Sequence, residues 1–304
     1  MSEVEYLDLK VINENLEKQF YHVVRRAEDR YRSQLSELAS RIIERDHVKV
    51  VLLSGPSCAG KTTSAKLLKG ILEERGYEVV TVSMDDFFWN RKDTPLLPNG
   101  MKDYDSIRSL NLKQMERCFS TLWKEKKAGF PIYDFLTGIN QDNAKTVEIN
   151  DNTIIIFEGL HVINPELTKH LGTDAFFKVY ASAISGFRYD QYILQPRELR
   201  LVRRMVRDVV RRGKSPQTTI ESWVNVCEGE DNFINPYKDS VDFKINTTHT
   251  YELALYREQF LQLVEDNPEI EDDLPFIDLI RCSHEMEKTL LPDTTLMWEF
   301  IDKD

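Results

Sequence analysis

The run Val48-Lys-Val-Val-Leu-Leu53-Ser-Gly55-Pro56-Ser57-Cys58-Ala59-Gly60-Lys61-Thr62-Thr63 decides the fold. Its first six residues are β-branched or apolar apart from one lysine, the composition of a strand buried on both faces of a parallel sheet. Residues 55 to 62 satisfy G-x-x-x-x-G-K-[ST], and a helical pattern over 64–75, closed by Gly76, comes next. That motif carries meaning only between a strand and a helix, and both flanks are present. Glycine at 55 and 60 opens backbone conformations closed to other residues. Successive N–H groups can then surround phosphate oxygens, and the helix start near Lys61 adds its partial positive charge. The loop of Gly55, Pro56, Ser57, Cys58, Ala59, Gly60, Lys61, Thr62 and Thr63 is therefore expected to hold ATP or another nucleoside triphosphate. Lys61 is expected on the β- and γ-phosphates and the Thr62 hydroxyl on Mg2+.

Working outward, short apolar runs at 78–83, 153–157, 176–181 and 241–246 read as further strands. Helical patterns fill 112–127, 197–212 and 251–264, the second ended by Gly213. Strands alternating with helices predict an α/β fold, here a P-loop NTPase of three α/β/α layers around a mostly parallel sheet. Residues 1–45 are expected to be a helical extension, because 13–46 read as one or two amphipathic helices without Pro or Gly. Its apolar stripe can pack on the core or on a partner subunit, which would make a homo-oligomer. Residues 46–264 form the expected P-loop domain, with a helical lid around 197–230. Residues 265–304 open on the acidic, turn-rich EDNPEIEDDLP and then regain apolar residues, predicting a linker whose later part docks on the core.

Bulk properties narrow the partners. No apolar run of the 304 residues approaches the ~18 needed to span a membrane. The first twenty residues lack the continuous apolar core of a signal peptide, so a cytoplasmic protein without membrane contact is expected. A net charge of −11 speaks against a nucleic-acid partner. The four cysteines and six histidines fall at no zinc-ligand spacing.

Three further elements carry chemistry. Glu158 ends Thr153-Ile-Ile-Ile-Phe157-Glu158-Gly159, at the edge where open α/β sheets bind ligands, and is the second candidate for the metal. Ser83-Met84-Asp85-Asp86 follows the 78–83 strand and offers a carboxylate base for a hydroxyl acceptor, with spacing alone leaving Asp85 and Asp86 both open. Arg200, Arg203, Arg204 and Arg207 stand at i, i+3, i+4 and i+7, with Arg211 a turn further. Guanidinium forks on one helix face suit phosphate oxygens and the spread negative charge of phosphoryl transfer.

The P-loop, SMDDFF (83–88), Lys102-Asp-Tyr-Asp105, Pro131-Ile-Tyr133-Asp-Phe135, IIIFEG (154–159) and RLVRRMVRDVVRRG (200–213) occur in an order and spacing that resemble the phosphoribulokinase/uridine kinase family. The resemblance covers roughly residues 46 to 264. It implies ATP-dependent transfer to the 5′-hydroxyl of a pyrimidine nucleoside, with Asp85 as base and Asp105 on the ribose. It also implies Tyr133 on the pyrimidine, and Arg204, Arg207 and Arg212 closing as lid arginines, with Lys214 beside them. On the same grounds the catalytic set is Asp85, Lys61, Arg204 and Arg207. Arg212 joins the nucleotide set, and Asp105, Tyr133, Arg204 and Lys214 bind the acceptor. Where uridine kinases place a base-reading histidine, five residues beyond the tyrosine, this sequence has Gly138; a lid glutamine aligns with Ser222. Two other readings stay open: a kinase of the same family with another small acceptor (a sugar, a nucleotide or a phosphorylated metabolite), and a nucleotide-binding regulatory protein with little turnover.

Overall fold

Five strands lie parallel in one sheet, and the glycine-rich loop leaves the middle one. The computed structural model describes residues 4–45, 47–97 and 100–303. In chain order the elements are β1 (Tyr6–Asp8), α1 (Leu9–Glu44), β2 (Val50–Ser54), α2 (Lys61–Glu74), β3 (Glu78–Ser83), α3 (Leu112–Glu125), β4 (Lys127–Asp134) and β5 (Ile139–Glu148). They continue with β6 (Thr153–Gly159), α4 (Pro165–Thr168), β7 (Phe176–Ser182), β8 (Gly186–Tyr189), β9 (Tyr192–Leu194), α5 (Pro196–Arg212), α6 (Pro216–Phe233), β10 (Phe243–Asn246), α7 (Glu252–Glu265) and α8 (Ile277–Arg281). The sheet order is β3-β6-β2-β7-β10.

Burial along β2 explains the layering. Side chains alternate across a strand, so Val51 and Leu53 enter one hydrophobic cluster while Val50 and Leu52 enter another. In β6, Ile154 and Ile156 join the first cluster, Ile155 and Phe157 the second. The first core is closed by α1, α2, α5 and α7; the second holds α3 and the β4–β5 hairpin. A three-layer α/β P-loop architecture with a parallel sheet and a long N-terminal helix is thus what the sequence builds.

Helix α1 runs unbroken for 36 residues except at Gln19, whose φ/ψ of −146°/44° kinks it. The Asp8 carboxylate caps its start, accepting from the N–H of Lys10 and Val11. Its inner face carries Tyr31, Leu35 and Leu38 into the first core, and the Tyr31 hydroxyl shares a hydrogen bond with Ser64 of α2 at 2.7 Å. Residues 287–303, far along the sequence, belong to the same core through Leu296, Met297 and Phe300.

Two features carry no sequence pattern that announces them: the β4–β5 hairpin and the small β1-β8-β9 sheet, whereas α6 falls mostly within the helical stretch expected around 197–230. The hairpin changes register between Phe130 and Ile132, around Pro131. Proline has no N–H to give the ladder, and such shifts are where it is tolerated.

Candidate active site

The loop after β2 is shaped by what surrounds it. A Cβ on Gly55 would lie 2.0 Å from the Ala181 carbonyl oxygen, so only glycine lets β2 turn there against β7. Gly60 takes φ +81°, and Cys58 takes φ +57° in spite of its side chain. Left-handed geometry at a non-glycine costs about 1 kcal/mol or more and persists only where neighbours enforce it. Here Arg203 Nη1 donates to the Cys58 carbonyl at 3.2 Å and Arg200 Nη1 to the Ser57 carbonyl at 3.2 Å. Lys61 Nζ donates back to the Pro56 carbonyl at 2.9 Å. Within the loop the Ala59 N–H turns inward to the Pro56 carbonyl at 3.3 Å, and backbone N–H groups in such a turn are the kind that bind an anion.

Strand register brings the acidic residues to the same edge. Glu158 pairs with Leu53 of β2 on one side and with Ser83 of β3 on the other. The Ser83 hydroxyl donates to Glu158 Oε1 at 2.7 Å. Asp85 follows in the tight turn Met84–Phe87, half-buried. Burial first, then the Glu158 charge, pushes its carboxyl up to about 7, against the pull of Lys61. Burial raises Glu158 as well, while Lys61 and the Ser83 bond draw it down. Asp86 points elsewhere: its Oδ2 meets Lys145 Nζ at 2.5 Å and its Oδ1 accepts the Tyr133 N–H at 3.3 Å. The two neighbouring acids diverge, and among the described residues no ion pair or hydrogen bond holds the Asp85 carboxylate.

That edge fits a magnesium ion. Burial is the first cause that raises the carboxyls of both Asp85 and Glu158, and Lys61 opposes it at each. Thr62, one residue beyond Lys61, is exposed in the first turn of α2. No group of three or more His, Cys, Asp or Glu placed to bind a metal occurs among the described residues. Magnesium asks for no such cage, being held by one or two side chains together with phosphates and water.

The arginine helix divides in two. Arg204, Arg207 and Arg212 converge on the fully buried Asp208, at 3.6, 2.6 and 3.6 Å. Arg204 Nη1 also donates to the Ser57 hydroxyl of the loop at 2.8 Å. Arg200 and Arg203 lie inside the protein, paired with Glu230 at 2.5 Å and with Glu252 at 2.8 Å. The four-arginine face expected from spacing is therefore corrected: two members are structural, neutralised by acids 30 and 49 residues further along. No periodicity pointed to those acids, because contacts at such separation exist only once the chain is folded. Arg212 is held below its usual pKa by burial and by Arg207.

On the other side lies Asp105. Burial raises its carboxyl, and Arg204 and Lys214 pull it down. Helix α6 backs onto it through Gly229, where a Cβ would come 2.7 Å from the Asp105 Cβ. The Asp103 carboxylate accepts from the Ser106 N–H and hydroxyl at 3.0 and 2.6 Å and from Arg108 at 3.2 Å, so Arg108 is tied to this turn. Tyr133 is buried among rings, edge-to-face with Phe88 at 5.6 Å and Phe135 at 5.0 Å. Beyond it, Asp134 closes a turn by accepting from Leu136 and Thr137. Gly138 completes that turn at φ +72°, where a Cβ would meet Arg91 Cβ at 2.6 Å. Arg91 itself donates to the Phe135 and Leu136 carbonyls. A histidine at 138 would collide with this arrangement.

The model of the phosphoribulokinase / uridine kinase family matches residues 50–254, more than half of the chain. The chain belongs to the phosphoribulokinase / uridine kinase family. Among curated relatives it is 27% identical over 208 residues to a uridine kinase of Ureaplasma urealyticum, covering 68% of this chain and 92% of that one. It is likewise 27% identical over 213 residues to a uridine kinase of Borrelia duttonii, covering 69% and 91%. Among solved structures it aligns with one described as a possible uridine kinase from Bacillus stearothermophilus, at 24% identity and a TM-score of 0.41, over 49% of this chain and 79% of that one. This is a family of small-molecule kinases with a nucleotide-binding P-loop, and residues 55–63 have that form.

Proposed function

We propose that the protein transfers the terminal phosphoryl group of ATP to the 5′-hydroxyl of a pyrimidine nucleoside, as a cytoplasmic salvage enzyme. The observation that carries this reading is the unpartnered Asp85 carboxylate, set beside Glu158 and within the field of Lys61. A group with its pKa raised to about 7 can accept a proton at neutral pH, whereas an ordinary carboxylate is a far weaker base. The family and its relatives support the acceptor class.

In this reading the N–H groups of residues 55–63 and Lys61 hold the triphosphate. Thr62 and Glu158 hold magnesium, which neutralises phosphate charge. Asp105 and Tyr133 orient the acceptor, with Lys214 and Arg204 at its edge. Asp85 takes the proton from the attacking hydroxyl. Arg204, Arg207 and Arg212, gathered on Asp208, face the charge that develops on the transferred group and shield it from water.

One observation favours a second reading within the same chemistry. The turn at Gly138, locked by Arg91, leaves no place for a base-reading histidine. A different small acceptor, such as a sugar or a phosphorylated metabolite, suits that altered wall. ATP consumption measured over panels of nucleosides, nucleotides and sugars decides between them. Stimulation by uridine or cytidine is the expected result; turnover with another class alone would replace the acceptor, and ATP binding without turnover on any acceptor would leave a regulatory protein.

A further inference from the structure

Residues 295–301 lie across the nucleotide half of the site. Leu296 covers the loop so closely that a Cβ on Gly60 would sit 2.6 Å from its Cδ1. The segment is fastened on several sides. Arg211 donates to the carbonyls of Trp298 and Ile301 at 2.5 and 3.0 Å, and Arg203 lies 5.0 Å over the Phe300 ring. The Thr295 hydroxyl donates to Glu28 at 2.6 Å, and the Tyr256 hydroxyl meets Met297 Sδ at 3.1 Å.

This fastening places one charged side chain against the P-loop helix. Glu299 Oε2 accepts from the Thr63 N–H at 3.2 Å and from the Thr63 hydroxyl at 2.7 Å. Thr63 is in the first turn of α2, where N–H groups have no carbonyl of their own helix to reach. The intrahelical ladder begins one residue later, with Ser64 N–H to Gly60 at 3.0 Å. The Thr63 donors thus belong to the set that a P-loop offers to phosphate oxygens, and here a carboxylate holds them. The charge of Glu299 also reaches Glu158 and Arg207, on the two other walls of the site.

We propose that residues 295–301 form an autoinhibitory strap, in which Glu299 stands in for a nucleotide phosphate and must leave when the nucleotide binds. The inference rests on residues 55–63 being the nucleotide site and on nothing about the acceptor. A carboxylate and a phosphate cannot share one pair of donors, and their like charges repel. Nucleotide affinity is therefore reduced by the fraction of molecules in which the strap is closed. Arg211 strengthens the closed state by holding the strap's backbone.

The test is calorimetric titration with Mg-ATP of the full chain and of Glu299→Gln, Glu299→Ala and Arg211→Ala, each first shown to be folded by its melting transition. Gln keeps an acceptor and removes the charge, Ala removes both, and Arg211→Ala loosens the strap without touching Thr63. All three are expected to bind Mg-ATP about 5-fold or more tightly than the parent, within the usual span of coupling between sites. Amide exchange in 295–301 should also quicken when ATP is added to the parent protein. Equal or weaker ATP binding by both Glu299 variants overturns the strap, weaker binding making Glu299 part of the nucleotide site. No ATP binding by any of the four folded proteins would instead overturn the nucleotide site on which the inference rests.

Discussion

The Ser83 hydroxyl donates to Glu158 at 2.7 Å, tying the carboxyl ends of two neighbouring strands into one wall of the site. The bond favours the ionised form of Glu158, which burial disfavours. Ser83→Ala should therefore raise the Glu158 pKa and move the acidic limb of the activity profile to higher pH. About 1 kcal/mol of stability should be lost with the hydrogen bond. A profile of kcat/KM against pH, with Mg-ATP saturating, reads the shift.

Asp85→Asn should cut turnover by about 100-fold or more while leaving Mg-ATP binding intact. The same substitution should stabilise the fold at high pH. A carboxyl raised from 3.8 to about 7 favours the native state while protonated, and that advantage is lost as pH rises through 7. The amide, neutral throughout, escapes the loss. Its melting temperature should exceed the parent's by about 2 °C or more at pH 8, with the gap narrowing below pH 7 and closing only towards 3.8, the ordinary carboxylate value.

Asp86→Asn should behave differently from its neighbour. Its carboxylate pairs with Lys145 and accepts the Tyr133 N–H, so it supports the hairpin that carries the proposed acceptor wall. The expected effect is a rise in acceptor KM and a lower melting temperature, with kcat within about tenfold of the parent. Steady-state kinetics with both substrates varied would show it; a loss of kcat equal to that of Asp85→Asn would mean that the base had been misassigned.

Glu252→Ala leaves Arg203 charged, buried and without its carboxylate. Breaking a buried pair from one side costs about 3–5 kcal/mol. Arg203 also grips the Cys58 carbonyl, so the loop should lose its left-handed turn and nucleotide binding should weaken with the fold. Denaturant unfolding gives the first effect and ATP titration the second.

Much of this was legible in the chain because it is local. The strand–loop–helix of 48–75 is read from composition and glycine placement, and β3, β6 and β7 from short apolar runs between turns. Register then follows from burial on both faces, and it carries Glu158 to Ser83 without any further signal. The β4–β5 hairpin escaped because β5 is almost wholly exposed, and its ten residues from Ile139 to Glu148 show no apolar alternation. Glu230, Glu252 and Glu299 escaped for another reason. An acidic residue whose partner lies dozens of positions away looks, in sequence, like any solvated acid. The identity of Gly138 was visible, but its cause was not: a positive φ closed by Arg91 is a property of two loops meeting.

Strand β2 is shared by both cores, whereas β5 belongs almost entirely to solvent. Local opening is cheap where few apolar contacts must break and dear where both layers must part. Strand β2 should therefore be among the last segments to exchange its amides, and β5 among the first. In the proposed reading the phosphoryl chemistry is anchored in the least yielding part of the molecule and acceptor recognition in its most yielding, so rewriting a hairpin would change what is phosphorylated and keep how it is phosphorylated untouched.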